Sequence, residues 1–397
     1  MKLFHHSRGV KVIHAECLEM LRKLPDNSID SVITDPPYGL SNTTPKHVVE
    51  AMTAWIGGDR EFVPATSGGF MGKSWDNFVP PPAVWDEALR VLKPGGHLLC
   101  FAGTRTMGLM EMSIRLAGFD IRDSIAWMYG SGFPKGQDIG KVIDKAAGAT
   151  REVVGSKIGQ PGYSLAVNAD EVRVAYGDFN DSEKEAQITA PATEEGKQWT
   201  GWNSALKPAF EPIIMARKPF KGALFKNVLK HGTGALNIDD SRISVSENDD
   251  IHAKNPSTVG GFGHGDASVY GDSAGAPVYN PAVGRYPANV ILDESQAGVL
   301  DSQSEGASRF FYCAKSPKSE RPTVDGKGHP TVKPLALMRY LVKLVTPPGG
   351  MILEPFAGSG ATVEAALLEG FRVIASEREE EYLPLIVQRI ERIPTSN

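Results

Sequence analysis

Met351-Ile352-Leu353-Glu354-Pro355-Phe356-Ala357-Gly358-Ser359-Gly360, near the end of the 397-residue chain, decides the fold. Met351 to Pro355 reads as a short strand, Phe356 to Gly360 as a glycine-rich turn, and Ala361 to Glu369 as a helix with apolar residues at helical spacing. Strand, tight turn and helix form the repeating unit of a parallel α/β sheet, and the turn places backbone N–H groups of a helix N-terminus beside a ligand. Nineteen positions past Gly358 the next apolar run, Phe371-Arg372-Val373-Ile374-Ala375, ends in Ser376-Glu377. An acidic side chain at that strand tip, about 20 residues beyond the glycines, is placed to accept from ribose hydroxyls. The G-x-G spacing lacks the third glycine of a dinucleotide loop, which favours a ligand with one nucleoside and no pyrophosphate. S-adenosylmethionine has that form. Taken alone, the same residues also fit a glycine turn in any α/β protein.

At the other end of the chain, the apolar run Ile29-Asp30-Ser31-Val32-Ile33-Thr34 closes on Asp35-Pro36-Pro37-Tyr38-Gly39. Two prolines fix φ and remove two backbone donors, so the turn presents only acceptors. The Asp35 carboxylate and the Pro36 carbonyl suit the two N–H bonds of an exocyclic base amine, and Tyr38 suits the base face. A tight Pro-Pro turn capping a strand is the plain alternative for this tetrapeptide.

Together the two motifs resemble the amino-methyltransferases of DNA, in the permuted class whose D-P-P-Y precedes F-x-G-x-G. His329-Pro330-Thr331-Val332-Lys333-Pro334, Val91-Leu92-Lys93-Pro94-Gly95-Gly96 and Pro25-Asp26-Asn27-Ser28-Ile29-Asp30 match further family patterns, as does the stretch from Tyr382 to Arg389. Gly130-Ser131-Gly132-Phe133-Pro134-Lys135, Ala205-Leu206-Lys207-Pro208-Ala209-Phe210-Glu211-Pro212 and Phe310-Phe311-Tyr312-Cys313-Ala314-Lys315 are similar to adenine-specific methylases of bacteriophages and prophages. The resemblance implies a Rossmann-like, doubly wound class I methyltransferase sheet, circularly permuted, and methyl transfer from S-adenosylmethionine to N6 of adenine in double-stranded DNA by base flipping. It implies catalytic roles for Asp35, Pro36, Pro37 and Tyr38. The cofactor would be held by Glu16, Cys17, Asp35, Thr331, Lys333, Phe356, Gly358, Gly360 and Glu377, with no metal. N4 of cytosine is the neighbouring substrate, associated in the family with S-P-P-Y, and a protein glutamine amide is a more distant one, associated with N-P-P-Y after the cofactor motif. An RNA methylase or a DNA-binding module without activity lies further off. Two positions depart from the family: Ala15-Glu16-Cys17 stands where Gly-Asp-Cys is usual, and Glu354 where Asp is usual before Pro-Phe. A homodimer follows from the resemblance; the sequence specifies no restriction partner.

Composition fits an enzyme of this kind in the bacterial or phage-infected cytoplasm. Three isolated cysteines, Cys17, Cys100 and Cys313, lack the spacing of a disulfide framework or a zinc site. The N-terminus carries no apolar signal segment and no stretch reaches transmembrane length. A net charge of −5 opposes a DNA partner when taken as a whole, but charge is segregated. From Ala205 to Asn237 six bases face one acid, and from Glu305 to Lys343 eight face three, whereas Arg151 to Thr200 holds five bases and nine acids.

Strands are expected at 9–14, 29–34, 97–101 and 120–128, and helices at 17–24, 82–92 and 105–116. The catalytic domain is thus expected to be built from residues 1–135 and, for its cofactor-binding part, 308–397. Residues 136–307 read as an inserted target-recognition region, in which the glycine-rich 260–284 is a loop that could order on DNA. The irregular 43–74 is expected to cover the flipped base or lie on the surface.

Overall fold

The computed structural model describes residues 1–41, 43–66, 74–130, 136–157, 186–243, 284–304, 307–314, 320–324 and 326–394. Strand β1 (Lys2–Ser7) turns into β2 (Val10–His14), followed by α1 (Cys17–Leu21) and β3 (Ile29–Thr34). Next come α2 (Pro45–Ile56), α3 (Pro82–Val91), β4 (Leu92–Phe101), α4 (Met107–Leu116) and β5 (Asp120–Met128). Helix α5 (Ile139–Ala146), β6 (Val153–Lys157), β7 (Ala186–Thr189) and α6 (Glu194–Gln198) lead into β8 (Phe210–Arg217) and α7 (Leu224–His231). The chain continues through β9 (Val290–Asp293), α8 (Glu294–Ser304), β10 (Tyr312–Ala314), β11 (Thr323–Val324), β12 (Lys327–Gly328) and α9 (Leu335–Val345). It ends with β13 (Met351–Glu354), α10 (Ala361–Leu368), β14 (Arg372–Glu377) and α11 (Leu383–Glu391).

Ten strands form one sheet in the order β1-β2-β14-β13-β3-β4-β8-β5-β9-β10. Only β1 and β8 run against the others. Parallel strands covered on both faces need apolar side chains on both faces. Accordingly Ile33, Leu99 and Phe101 pack with Leu337, Leu341 and Ile386 of α9 and α11, while Val32, Leu98 and Cys100 pack with Trp55, Trp85 and Met110 of α2 to α4. The sequence-derived expectation of a doubly wound α/β sheet matches this architecture. Among the described residues no helix is long and apolar enough to cross a membrane.

The span 136–307, expected as one insertion, is threaded back through the sheet. Ile213, Ile214, Met215 and Ala216 are a continuous buried run that places β8 between β4 and β5. β9 then extends the sheet beyond β5, pairing Trp127 with Ile291. Outside the sheet this span contributes the β6–β7 ribbon with α5 and α6, where Asp144 accepts from Thr193 N and Ala192 N at 3.0 Å. Residues 131–135 and 260–283, singled out above, lie outside the described residues. Residues 43–74, expected as irregular, contain helix α2 with Ala51 and Trp55 buried, and smaller differences fall at element ends, where α1 stops at Leu21 and β4 already begins at Leu92.

Candidate active site

The order in which successive strands are added reverses between β13 and β3, and ligands of open α/β sheets bind outside the carboxyl ends of strands at such a switch point. The register Leu353↔Val32 brings both motifs there, one at the end of each strand.

On the β3 side, the turn after Asp35 is held by the buried Asp76. Its carboxylate accepts from the backbone N–H groups of Tyr38 at 2.7 Å, Gly39 at 3.0 Å and Leu40 at 3.2 Å. Gly39 has φ +67°, and a Cβ there would stand 2.9 Å from Val79 N, so only glycine closes this turn. Asp35 Oδ1 accepts from the Tyr38 hydroxyl at 2.7 Å and Oδ2 from Lys333 Nζ at 2.6 Å. A second carboxylate shares both donors: Glu211 Oε2 is 2.9 Å from the Tyr38 hydroxyl and 3.2 Å from Lys333 Nζ. Burial alone would push Lys333 down, but Asp35 and then Glu211 hold it above its usual range. Burial, reinforced by the same two carboxylates, raises the Tyr38 hydroxyl well above its ordinary value.

On the β13 side, Gly358 and Gly360 adopt φ +50° and +79°. The β14 tip faces this loop, where Glu377 Oε2 accepts from Gly358 N at 2.7 Å and Oε1 from Glu379 N at 2.8 Å. A carboxylate offers about four acceptor directions, so Glu377 keeps capacity for a further donor from the cavity. Burial raises the Glu377 carboxyl above its normal value. Glu16 caps α1, its Oε2 accepting from Leu18 N at 2.8 Å and Glu19 N at 3.2 Å, and the Cys17 thiol donates to its Oε1 at 2.9 Å. His329 lies against Gly358, 3.1 Å from where a Cβ would stand, and edge-on to Tyr382.

Glu354 joins the halves. Its side chain accepts from the Thr34 hydroxyl at the end of β3, from Phe356 N at 3.0 Å in the glycine loop, and from the Thr362 hydroxyl of α10 at 2.6 Å. Burial drives its carboxyl up to about 8, so near neutrality it is largely uncharged.

One cavity of about 340 Å³ runs from Glu16 and Glu377 past Gly358 to Asp35 and Glu211. Seven acidic side chains and three basic ones line it. A carboxylate-rich cleft with a strand-tip acid and an open glycine loop fits a cationic nucleoside such as S-adenosylmethionine.

Asp35, Pro36, Pro37, Tyr38, Glu16, Cys17, Thr331, Lys333, Phe356, Gly358 and Glu377 all line this cavity. Two expected cofactor contacts sit differently. Gly360 turns its backbone against Ile386, where a Cβ would lie 3.0 Å from that residue's Cα, so its glycine serves the turn and helix packing. Lys333 points at Asp35 and Glu211 rather than at the glycine loop. Tyr38, expected to stack on the base, has its hydroxyl anchored by Asp35 and Glu211 and Lys333 Nζ 5.3 Å from its ring centre. Sequence reasoning missed Glu211 and Asp76 as site residues; Glu211 lies within Lys207-Pro208-Ala209-Phe210-Glu211-Pro212, a pattern noted above without a role.

The basic stretch 205–237 does not form one face. Lys207 lies near the site, donating to Gly130 O at 2.7 Å. Lys218 lies at the opposite end of β8, where its Nζ donates to Leu92 O at 2.7 Å and Asn27 Oδ1 at 2.9 Å. Lys218 follows Glu211 by seven steps of extended chain, more than about 20 Å. Helix α7, with Lys226 and Lys230, is tied to the same far end through Asn227 Nδ2 donating to Pro94 O. In the second stretch Arg339 and Lys343 pair with Glu369, and Arg321 borders the cavity; Lys315 and Lys318 lie outside the described residues.

An acceptor-presenting turn and a glycine-rich loop, joined at the switch point of one mostly parallel sheet, are the arrangement of a group transferase with two ligands in one cavity. The chain belongs to the N6/N4 DNA methylase family, whose family model matches residues 29–388. It is therefore a DNA methyltransferase, and its methyl donor is S-adenosylmethionine. The type II methyltransferase M.HindIII of Haemophilus influenzae is 23% identical over 407 residues, covering 96% of this chain and 94% of that protein. The type II methyltransferase M.ScaI of Streptomyces caespitosus is 36% identical over 73 residues, covering 18% of this chain and 24% of that protein. Among solved structures, the M1.HpyAVI complex with S-adenosylmethionine is 14% identical with a TM-score of 0.39, covering 96% of this chain and 99% of that one. The cytosine-N4-specific PvuII DNA methyltransferase is 12% identical with a TM-score of 0.43, covering 97% and 88%.

Proposed function

We propose that this protein is a methyltransferase of the permuted class that acts on N6 of adenine at a specific site in double-stranded DNA, as part of a restriction-modification function in the cytoplasm. The observation that carries the reading is the turn Asp35-Pro36-Pro37-Tyr38, held by Asp76 at the mouth of the same cavity as Glu377. The target base leaves the duplex and enters this cavity. Its amine donates one N–H to Asp35 and the other to the Pro36 carbonyl, which turns the nitrogen lone pair away from the ring. Lys333 donates to Asp35 Oδ2 at 2.6 Å and fixes the carboxylate's orientation toward the cavity. Glu377 and the Gly358 backbone fix the nucleoside, and Thr331 and Phe356 close the wall beside it. Bound there, S-adenosylmethionine supplies the electrophilic methyl group. Positioning of this kind accounts for much of such a rate enhancement. The parts of 136–307 outside β8, α7 and β9 carry target recognition, and two copies of the chain form the working unit.

The acceptors serve the N4 amine of cytosine equally well, so the base is decided by the product. Expression in a host without adenine or cytosine methylases, followed by single-molecule sequencing of its genome, is expected to show N6-methyladenine in one short motif. The Asp35→Ala protein should leave the genome unmodified. N4-methylcytosine would overturn the adenine assignment, and an unmodified genome from soluble, cofactor-binding wild type would overturn action on DNA.

A further inference from the structure

We propose that Glu211 is a positioning residue for methyl transfer, which by sharing Lys333 and the Tyr38 hydroxyl with Asp35 keeps the Asp35 carboxylate available to the substrate amine and the cluster net negative. Lys333 is only 8% exposed, enclosed by the rings of Tyr38 and Phe101 with its Nζ 5.3 Å and 4.9 Å from their centres. A buried ammonium requires anionic partners. With Asp35 alone it would form a closed one-to-one pair and saturate the acceptor that the amine needs. Glu211 at 3.2 Å draws part of that charge away, and the single hydroxyl proton of Tyr38 is divided between the same two carboxylates. Two carboxylates against one ammonium leave one net negative charge.

That surplus lies where positive charge develops. The amine lone pair forms the N–C bond, the C–S electron pair returns to sulfur, and the nitrogen is cationic until it gives one proton to Asp35. Fixed negative charge beside that nitrogen favours the transition state over the ground state. Glu211 is suited to hold such a position because it belongs to a strand paired on both sides, with Trp127 opposite it in β5 and Ala102 N donating to the adjoining Pro212 O at 3.0 Å.

The inference rests on transfer to an exocyclic amine and is indifferent to whether adenine or cytosine carries it. Single-turnover rates of the full chain, with S-adenosylmethionine and methylatable DNA saturating, test it through charge. Glu211→Gln leaves Lys333 and Asp35 as a neutral pair and should lower the rate roughly 10- to 100-fold, the range set by displacing one hydrogen bond to a charged group. Cofactor affinity by calorimetry should stay within about twofold. The double variant Glu211→Gln, Lys333→Met regains the single negative charge and should be faster than Glu211→Gln alone, a rescue that damage to packing would not produce. Glu211→Asp, which keeps the charge, should retain more activity than Gln and serves as the comparison should the Gln protein not fold. A double variant no faster than Glu211→Gln, or an Asp variant as slow as the Gln variant, would overturn the inference. Absence of transfer by the wild type would instead refute the amine methylation on which it rests.

Discussion

Glu354→Gln tests whether the side chain that ties the two halves of the site together is held uncharged. Glu354 is 1% exposed, and burial raises its carboxyl from an ordinary 4.5 to about 8 against the opposing pull of Thr34, Thr362 and the Phe356 N–H. The folded protein therefore binds this proton more tightly than the unfolded chain does. The stability so contributed is fully present below about 4.5 and is lost as pH rises to about 8. A gap of about 3.5 units at roughly 1.4 kcal/mol each makes the swing about 5 kcal/mol at most. Gln is uncharged at every pH, accepts through its oxygen from Phe356 N and Thr34, and donates its NH2 to Thr362. Denaturant unfolding from pH 5 to 9 should show the wild type losing stability relative to Glu354→Gln by several kcal/mol across that range, of the order of the full swing. Parallel curves for the two proteins would mean that Glu354 is ionised in the fold and that the linkage reasoning is wrong.

Glu377→Ala should weaken S-adenosylmethionine binding by about 1–3 kcal/mol in calorimetric titration, since it removes a charged hydrogen-bond acceptor and leaves Gly358 N unpaired. Asp76→Ala should cost at least about 2 kcal/mol of stability by orphaning three backbone donors and lower kcat more than cofactor affinity, with Asp76→Asn milder on both counts. Lys221→Gln with Lys226→Gln should leave DNA affinity and its salt dependence unchanged, because these residues follow the end of β8 remote from the cavity. Arg321→Gln, at the cavity border, should reduce the salt slope by about one unit in filter-binding or anisotropy titrations.

Both half-sites were legible because each is a local device. The Pro-Pro turn and the glycine loop carry their conformational demands in four or five consecutive residues, and each closes an apolar run whose length reads as a strand. Their meeting was legible only through family resemblance, because Asp35 and Gly358 are brought together by sheet order. Strand β8 went unread for a related reason. Phe210-Glu211-Pro212-Ile213-Ile214-Met215-Ala216-Arg217 is apolar enough for a buried strand, but it lies among basic residues, contains a proline, and gives no sign of which strands will flank it. Glu211 was lost with it, since its role exists only once β8 lies opposite Trp127. Asp76 follows a tryptophan in an irregular stretch, where nothing local announces that three N–H groups 36 to 38 residues earlier will converge on it. The contiguous basic stretch misled in the opposite direction: adjacency along an extended strand carries residues to opposite ends of the molecule.

The sheet order has a consequence for how the chain is made. Strands β14 and β13 occupy the gap between β2 and β3, so two of the earliest strands to leave the ribosome are separated in the finished protein by two of the latest. Until about residue 377 has emerged, the flanks of β2 and β3 that will face each other across that gap have no strand to pair with. Closing a gap in the middle of a sheet requires contacts spanning more than 300 residues, the kind of topology that folds slowly and exposes unpaired strand edges meanwhile. The nascent chain therefore depends on its last segment as a keystone. A truncation before Met351 should yield an aggregation-prone polypeptide rather than a folded catalytic half.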